Sequence, residues 1–385
     1  MPHDQPTDAA APRRPRLTPP IADVRRAVRA VLPAGAESAD RRVEGAEGRH
    51  AELRAGRSTS APATRREPGG TLVLVALSGG ADSLALAAAA AFEAPRAGCR
   101  AGAVIVDHGL QPGSAEVAAA AAATARELGL GPVLVRRVEV PSTGAGSAGG
   151  PEASARDARY GALGAAAAET GAALVLLGHT LDDQAETVLL GLARGSGAAS
   201  LSGMPARAGR YARPLLGIRR ATTRQACLDA GLTPWDDPHN LDPAYARVRV
   251  RERVLPVLEA ELGPGIAEAL ARTAEHLRED ESAFSEQIEE FIEEVCEPAE
   301  AGIAISVGAL SANPAALRQR VIRHVVGSEF GVSLSRTQTL EVARLVTDWH
   351  GQGPIDLPGG VLATRAGRHI VLSTTGSTEI LPHDH

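Results

Sequence analysis

Two glycines and an aspartate lie between an apolar segment and a helix-forming segment near residue 80. The stretch 78–83 reads Ser-Gly-Gly-Ala-Asp-Ser, with an apolar run at 71–77 before it and a helix-forming run at 84–92 after it. A strand that leads through such a turn into a helix presents free backbone N–H groups to an anion, and the helix dipole strengthens the attraction. We therefore expect a phosphate-binding loop. Its residues are Ser78, Gly79, Gly80, Ala81, Asp82 and Ser83.

The loop lacks the lysine that a Walker A loop requires. All 40 residues counted as lysine or arginine are arginine, which argues against P-loop kinase or GTPase chemistry and against a lysine Schiff base. A plain tight turn is the competing interpretation, which Asp82 and the two serines of the loop disfavour. Asp82 would repel a phosphate unless a divalent cation lay between the two groups. The loop therefore predicts Mg²⁺ at Asp82.

Strands and helices alternate between residues 71 and 217, which predicts a doubly wound, mainly parallel α/β sheet. Ligands of such sheets bind at the carboxyl ends of the strands. Polar residues follow three of the predicted strands at this point: the loop 78–83, the pair Asp107-His108 and the pair Gly178-His179. We expect these three segments to meet in one crevice.

Three acids lie at the start of a helix predicted at 181–194. Glu186 is four residues from Asp182 and three from Asp183, so the three carboxylates project from the same helical turns. Capping of the helix N-terminus accounts for one of them. The cluster fits an ammonium-binding site, in which His179 or a carboxylate takes up the proton of the amine.

Charge is distributed unevenly along the chain, whose formal net charge is −6. Residues 194–253 contain eleven arginines and five acids, whereas residues 259–300 contain fourteen acids and two arginines. The basic segment allows an RNA-facing surface on a protein that is acidic overall. The three cysteines form no CxxC pair, which argues against a disulfide framework and against zinc or iron–sulfur sites. No signal peptide or membrane span is predicted, so we expect a cytoplasmic protein.

The hexapeptide 78–83 resembles the signature of the N-type ATP pyrophosphatases, and the later motifs narrow the resemblance to the tRNA(Ile)-lysidine synthetase family. Eight segments occur in the order of that family's motifs: SGGADSLAL (78–86), VDHGLQPGS (106–114), EASARDARYGAL (152–163), GHTLDDQAETVLLGLARGSG (178–197), LSGM (201–204), RPLL (213–216), WDDPHN (235–240) and RVRVRERVLPVL (247–258). The resemblance implies that ATP adenylates the wobble cytidine of a CAU-anticodon isoleucine tRNA. Free L-lysine then attacks C2, which gives lysidine, AMP and pyrophosphate.

The same resemblance implies roles for individual residues. The loop would hold the phosphates of ATP, and Asp107 and His108 would lie near its nucleoside, although Asp107 fits a strand-end turn equally well. The residues expected to receive the lysine substrate are Asp182, Asp183 and Glu186. The residues expected to take part in catalysis are Asp82, His179, Asp183 and Glu186. A homodimer is one assembly compatible with the sequence, which does not fix the oligomeric state.

Several arginines would neutralise phosphates of ATP or tRNA, because a guanidinium group pairs bidentately with phosphate. They are Arg156, Arg159, Arg194, Arg247, Arg249 and Arg251. Over 247–253 arginine occupies every second position. This period of two predicts an extended strand, the family resemblance implies the start of a helix, and a solvated face is the third interpretation.

Other functions remain open from the sequence. Base thiolation of tRNA uses the same loop but generally needs paired cysteines, which are absent from this sequence. GMP synthetase and asparagine synthetase share the loop too, but their small substrates do not require the basic segment. An ATP-binding regulator without chemistry would not need the three acids that start the helix at 181.

Changes in composition and pattern predict four parts. Residues 1–69 comprise a tail, one amphipathic helix at 20–33 and a flexible insertion at 36–69, and residues 70–217 form the nucleotide-binding domain. A helical linker domain follows at 218–298, with helices expected at 220–231, 245–262 and 264–297. A small α+β domain with a disordered tail is expected at 299–385, with a hairpin near 355–373. The family resemblance implies that this domain recognises tRNA.

Overall fold

The structure is a computed structural model that describes residues 17–33, 70–109, 113–138, 150–195, 197–299 and 302–374. The predictions for the N-terminal tail and for the insertion 36–69 lie outside these residues. The chain forms two compact units, Met1–Arg278 and Glu279–His385. The division into four domains stays a prediction.

A six-stranded sheet organises the first unit. Its strands are β1 Leu72–Ala76, β2 Arg100–Asp107, β3 Val133–Arg137, β4 Leu174–Leu176, β5 Arg207–Ala208 and β6 Tyr211–Ala212. They lie in the order β3-β2-β1-β4-β6-β5, and each neighbouring pair is parallel except β5 with β6. The prediction of a mainly parallel sheet is confirmed. The chain reverses its direction of winding between β1 and β4, which is where a ligand crevice is expected.

Helices cover both faces of this sheet. They are α1 Pro19–Val31, α2 Ala81–Glu93, α3 Ser114–Glu127, α4 Gly150–Thr170, α5 Leu181–Ala193, α6 Ala198–Leu201, α7 Arg220–Asp229, α8 Ala246–Arg249 and α9 Leu255–Leu262. Val73 and Val75 pack in one cluster with α1, α2, α3 and α7, whereas Leu72 and Leu74 pack with α4. Alternate residues of a strand point to opposite faces, so β1 is apolar along its length because both of its faces are buried.

The helix predicted at 20–33 forms α1 and belongs to the core of the first unit. Ile21, Val24 and Val28 are buried against α2 and α7, in the spacing of an amphipathic helix. Arg29 Nε lies 2.7 Å from Glu93 Oε2 of α2, whose side chain is buried. An ion pair and an apolar stripe thus fix α1 beside the helix that follows the phosphate loop.

The prediction of an extended strand over 247–253 is wrong. Helix α8 continues through a π-helical turn at Val250–Val254 into α9. Val250 and Leu255 are buried in one cluster with Leu181 and Ala185 of α5, so packing against α5 outweighs the local alternation. The helical interpretation that came from the family resemblance is confirmed. π-Helical turns are frequent at functional sites because they re-aim side chains.

The last strand of the predicted alternation between residues 71 and 217 is short. β6 ends at Ala212, and a 3₁₀ turn follows at Pro214–Gly217. Proline has no backbone N–H for a sheet ladder, which explains why the strand ends before it. β5 and β6 form a small hairpin at the edge of the sheet, which the sequence analysis did not predict.

The second unit is a five-stranded antiparallel sheet with helices. Its strands are β7 Cys296–Ala299, β8 Gly302–Ser306, β9 Ile355–Leu357, β10 Val361–Ala366 and β11 His369–Thr374, in the order β7-β8-β11-β10-β9. Its helices are the end of α10 Ile266–Val295, then α11 Val307–Ala312, α12 Ala315–Phe330 and α13 Arg336–Thr347. The predicted hairpin near 355–373 is confirmed by the antiparallel pairing of β10 with β11, and the small α+β fold is confirmed with it. In the described ranges, none of the helices is long and apolar enough to cross a membrane.

Candidate active site

The loop after β1 is shaped by its own hydrogen bonds. Gly79 has a φ of +87°, a conformation that favours glycine. The Ser83 hydroxyl accepts a hydrogen bond from the Ser78 N–H at 3.2 Å and donates one to the Gly80 carbonyl at 2.9 Å. Ser83 is buried, and its hydroxyl fixes the turn. Its expected role toward phosphate stays a prediction. Backbone N–H groups at the start of α2 remain to meet an anion.

Asp82 lies in the first turn of α2 and is held by α7. The buried Thr223 hydroxyl donates a hydrogen bond to its Oδ1 atom, and Arg220 Nε lies 3.6 Å from its Oδ2 atom. Burial raises the pKa of Asp82 above its usual range. A partly buried carboxylate fixed at the mouth of a phosphate loop is the arrangement that a divalent cation shared with phosphates requires.

The end of β4 packs directly against the phosphate loop. A Cβ atom on Gly178 would lie 3.3 Å from the backbone nitrogen of Ser83 and 3.4 Å from the carbonyl carbon of Asp82. Contacts this short leave little room for any side chain, so glycine allows the close approach. His179 is thereby brought beside the loop, as the sequence analysis predicted for these two strand ends.

The end of β2 forms a turn of its own. Asp107 is buried, and its Oδ1 atom accepts a hydrogen bond from the Gly109 N–H at 3.0 Å. Hydrogen bonds from Ser114 and Gly109 lower the pKa of Asp107. This geometry matches the strand-end turn that the sequence left open for Asp107. His108 follows it, and its Nδ1 atom is buried without a hydrogen-bond partner among the described residues.

The acidic cluster, defined as Asp182, Asp183 and Glu186, begins α5. The Oδ2 atom of Asp183 accepts a hydrogen bond from the Thr180 N–H at 2.7 Å, so this residue closes the capping box. Asp182 accepts hydrogen bonds from the Arg220 backbone N–H at 2.7 Å and from Arg219 Nη1 at 3.1 Å. Burial alone would raise the pKa of Asp183, but Arg220 and the Thr180 hydrogen bonds outweigh it and lower that pKa.

Arginines already neutralise the deepest acid of the cluster. The Glu186 side chain is 0% exposed, and unpaired charges are rarely tolerated at such a position. Arg251 Nε and Nη2 lie 2.8 Å and 3.1 Å from its two carboxylate oxygens. Arg220 Nη1 lies 3.3 Å from Glu186 Oε1, and its Nη2 atom lies 2.7 Å from Asp183 Oδ1. The acids therefore meet internal cations rather than solvent.

A cavity of about 190 Å³ opens beside this network. Its lining combines acids and arginines with three apolar residues. The lining residues are Asp182, Glu186, Arg219, Arg220, Arg251, Leu255, Pro256, Glu259 and Ala267. Asp183 is absent from this lining and faces Arg220 instead. A small space with charges of both signs and an apolar wall suits a zwitterion with an aliphatic chain.

The basic cluster, defined as Arg156, Arg159 and Arg213, lies close enough to His179 for its charges to act on that ring. Arg213 is buried, and its Nη2 atom donates to the Tyr160 hydroxyl at 3.2 Å, whereas its Nε atom has no partner among the described residues. Arg156 and Arg159 lie 5.1 Å and 5.8 Å from the centre of the Tyr160 ring. Burial lowers the pKa of Arg159, and repulsion from Arg156 and Arg247 adds to this shift. The cluster therefore suits an anion.

Both histidines of the crevice are neutral at pH 7. Burial, with added repulsion from the charges of the basic cluster, lowers the pKa of His179 to about 4, although Asp183 opposes this shift. Burial also lowers the pKa of His108. The Nδ1 atom of His179 is buried without a hydrogen-bond partner in the described ranges. An unpaired buried nitrogen calls for an explanation, and a ligand atom supplies one.

The remaining predicted arginines lie away from the loop or bond locally. Arg194 is exposed at the far end of α5, about 20 Å from the start of this 13-residue helix at 1.5 Å per residue. Arg249 donates to the carbonyls of Pro243 and Ala244, both at 2.7 Å. Arg247 Nη2 lies 3.3 Å from the Thr187 hydroxyl on the second turn of α5. Their roles toward tRNA stay predictions.

Sequence reasoning missed three residues that touch the predicted ones. Arg219 and Arg220 entered only as part of a charge count, and Thr223 did not enter at all. The sequence feature that could have identified them is their position at the start of α7, shortly after the RPLL motif at 213–216. No local spacing pairs them with acids that lie 34 to 141 residues earlier in the chain.

Family profiles match both units. The profile described as PP-loop domain matches residues 58–258. The profile described as TilS substrate binding domain matches residues 305–369. The first match contains the phosphate loop, the acidic cluster and the basic cluster, and the second falls on the small α+β unit.

Curated relatives cover most of the chain. A tRNA(Ile)-lysidine synthase of Leifsonia xyli is 67% identical over 291 residues, which are 75% of this chain and 86% of the relative. The enzyme of the same name from Streptomyces coelicolor is 54% identical over 79% of this chain and 86% of its own length. That of Thermobifida fusca is 52% identical over 81% and 94%. The chain therefore belongs to the tRNA(Ile)-lysidine synthase family.

Proposed function

We propose that the acidic and basic clusters, which both lie near His179, carry out the two halves of lysidine formation. As a member of its family the chain is an ATP-dependent ligase that acts on tRNA(Ile). The observation that carries the proposal is that His179 feels both a carboxylate of the acidic cluster and the arginines of the basic cluster, while Arg213 Nε is buried without a partner among the described residues. A reaction that joins an amine to a phosphate-activated base needs both environments at one place.

The basic cluster and the phosphate loop are assigned to ATP. The loop N–H groups bind phosphate oxygens, and Arg156, Arg159 and Arg213 balance the remaining charge. Asp82 fits a Mg²⁺ ion, because one fixed carboxylate plus substrate phosphates is a common ligand set for this ion. Bound there, Mg²⁺ would supply charge neutralisation at the phosphates.

Adenylation solves a leaving-group problem. The C2 oxygen of cytosine is a poor leaving group, so an amine cannot displace it directly. In the first step this oxygen attacks the α-phosphorus of ATP, and the bond to pyrophosphate breaks. In the second step an amine of lysine attacks C2, the bond from C2 to oxygen breaks, and AMP leaves. The nucleophilic amine loses a proton during this step.

The cavity beside the acidic cluster is assigned to the lysine substrate. Asp182, Glu186 and Glu259 line it and can accept hydrogen bonds from an ammonium group, whereas Arg219 can pair with a carboxylate. Leu255, among other apolar residues, would contact the aliphatic chain. The cavity replaces part of the sequence-based lysine site, since Asp183 does not line it.

His179 is assigned the role of proton acceptor. Its ring is neutral, and its Nδ1 atom is unpaired among the described residues. Burial is the main cause of its pKa of about 4, and repulsion from the arginines around it adds to the shift. Phosphates bound to those arginines would remove this repulsion and raise the pKa. The ring would thus become a stronger base once ATP is present.

Base thiolation is less well supported than lysine transfer. Cys99 and Cys227 are buried free thiols of the first unit, and Cys296 lies in the second unit. Burial raises the pKa of each of these thiols, which lowers their reactivity. Sulfur transfer also involves no amine substrate that the acidic cluster would bind.

The proposal is tested by incubating the full chain with ATP, Mg²⁺, labelled lysine and a CAU-anticodon tRNA(Ile) transcript. We expect label in the RNA and release of AMP and pyrophosphate. A transcript with uridine at the wobble position is the matched control and should stay unlabelled. ATP consumption that proceeds normally without lysine, together with unlabelled RNA, would contradict the proposal. Two finer expectations, a homodimer and a cytoplasmic location, are tested by light scattering and by cell fractionation.

A further inference from the structure

One side chain reaches from the proposed ATP half of the crevice to the proposed lysine half. Arg220 Nε lies 3.6 Å from Asp82 Oδ2, while its Nη2 and Nη1 atoms lie 2.7 Å from Asp183 Oδ1 and 3.3 Å from Glu186 Oε1. The side chain is 26% exposed. A single guanidinium group therefore contacts carboxylates that the proposed function gives to two different ligands.

The backbone at this point is fixed, whereas the side chain has another place to go. The Arg220 N–H donates to Asp182 Oδ2 at 2.7 Å, and Thr223, in the same helical turn, holds Asp82. Arg251 contacts both carboxylate oxygens of Glu186 independently of Arg220. Rotation of the Arg220 side chain would therefore not leave the buried carboxylate of Glu186 without a cation, which would be costly.

Two ligands would compete with these contacts in opposite ways. The ammonium group of lysine carries the same charge as a guanidinium group, so it must displace Arg220 from Glu186 Oε1 to bind the carboxylate that lines the cavity. The phosphates of ATP attract a guanidinium group, because arginine binds phosphate bidentately. ATP at the loop near Asp82 would draw Arg220 away from the acidic cluster and free it for lysine.

We infer that Arg220 is a positioning residue that makes lysine binding depend on bound ATP. Without ATP its side chain occupies the acidic cluster as an internal cation, and with ATP it turns to the phosphates. The inference rests on the proposed function for the identity of the two ligands. By linkage, lysine must strengthen the binding of ATP by the same factor.

The test is calorimetric titration of the full chain with free lysine, with and without Mg²⁺ and α,β-methylene-ATP, which cannot release pyrophosphate. We expect the wild-type chain to bind lysine at least ~5-fold more tightly when the analogue is present. Arg220→Gln should bind lysine equally well in both conditions, within about twofold, because the internal competitor is gone. Arg26→Gln removes an exposed ion pair with Asp23 on α1 and should keep the wild-type ratio.

Arg220→Lys covers the case in which Arg220→Gln fails to fold, as thermal unfolding would reveal. Lysine keeps the charge but cannot span Asp82 and Asp183, so the ratio should fall to less than half of the wild-type value. A wild-type ratio in either variant overturns the inference, and so does a wild-type chain whose lysine affinity ignores the analogue. A wild-type chain that binds no lysine in either condition instead overturns the proposed lysine site, and the inference falls with it.

Discussion

The acidic cluster and the basic cluster act on the same histidine, His179, yet their charges are balanced differently. Asp183 and Glu186 are each in contact with an arginine at 2.8 Å or less. Arg213 has a buried Nε atom without a partner in the described ranges, and His179 has such an Nδ1 atom. The acidic cluster is therefore balanced before any ligand binds, whereas the basic cluster is completed by an anion. A cation that binds at the acidic cluster must replace an arginine side chain, whereas an anion can bind at the basic cluster without displacing another group.

The largest effect should come from Asp82, which shares Arg220 with the acidic cluster. Asp82→Asn keeps the side-chain volume and the contact with Thr223 but removes the charge that a cation would share with ATP. We expect lysidine formation to fall at least about 100-fold, because such a cation contributes several kcal/mol to a phosphoryl-transfer transition state. Labelled-lysine incorporation measures the loss, and thermal unfolding checks the fold. Turnover within threefold of wild type would remove Asp82 from the site.

Glu186→Gln tests whether the acidic cluster is balanced internally. The variant leaves the guanidinium groups of Arg220 and Arg251 without their most buried partner, which should lower the free energy of unfolding by about 3 kcal/mol. Urea unfolding measures the change. Glu169→Gln is the matched control, because its ion pair with Arg136 is exposed and should contribute about 1 kcal/mol or less. Equal losses of unfolding free energy in both variants would mean that the buried ion pairs of Glu186 stabilise the fold no more than an exposed ion pair does.

The buried ring of His179, near both clusters, makes the stability of the protein depend on pH. Burial lowers its pKa to about 4 from an ordinary value of 6.5, so between these values the unfolded chain binds a proton that the folded chain does not. Stability must therefore fall as the pH drops from 6.5 to 4. His179→Gln should remove about 2 kcal/mol of the loss that wild type suffers between pH 7 and 4.5. Urea midpoints at both pH values measure this difference.

The control for that experiment is His276→Gln on an exposed position of α10, which should keep the wild-type dependence on pH. Identical slopes for wild type and His179→Gln would show that the ring is not buried as a neutral group. The role of His179 as proton acceptor would then lose its physical basis, although its position beside the phosphate loop would stand.

The sequence predicted those parts of the site whose chemistry is contiguous. The phosphate loop and the acidic cluster each lie within ten residues, so spacing along a turn or helix determines which groups meet. Arg220 and Thr223 could not be predicted in this way, since they lie 34 to 141 residues from the carboxylates they contact. The 247–253 segment shows the opposite failure: its alternation predicted a strand, but the burial of Val250 against α5 favours a helix.

The smallest expected effect is that of Arg159→Gln, and it distinguishes the roles of the two clusters most clearly. Arg159→Gln removes one cation of the basic cluster, so the KM for ATP should rise about tenfold, which corresponds to about 1.4 kcal/mol and the usual strength of a charged hydrogen bond. The positive charge of Arg159 also lowers the pKa of His179. Its removal should raise that pKa and shift the acid limb of the pH–rate profile to higher pH. Arg207→Gln, on the exposed edge strand β5, is the control for both measurements. A changed KM for lysine with an unchanged KM for ATP would place Arg159 with the acidic cluster instead. A higher KM for ATP without a shift of the acid limb would mean that His179 does not take the proton.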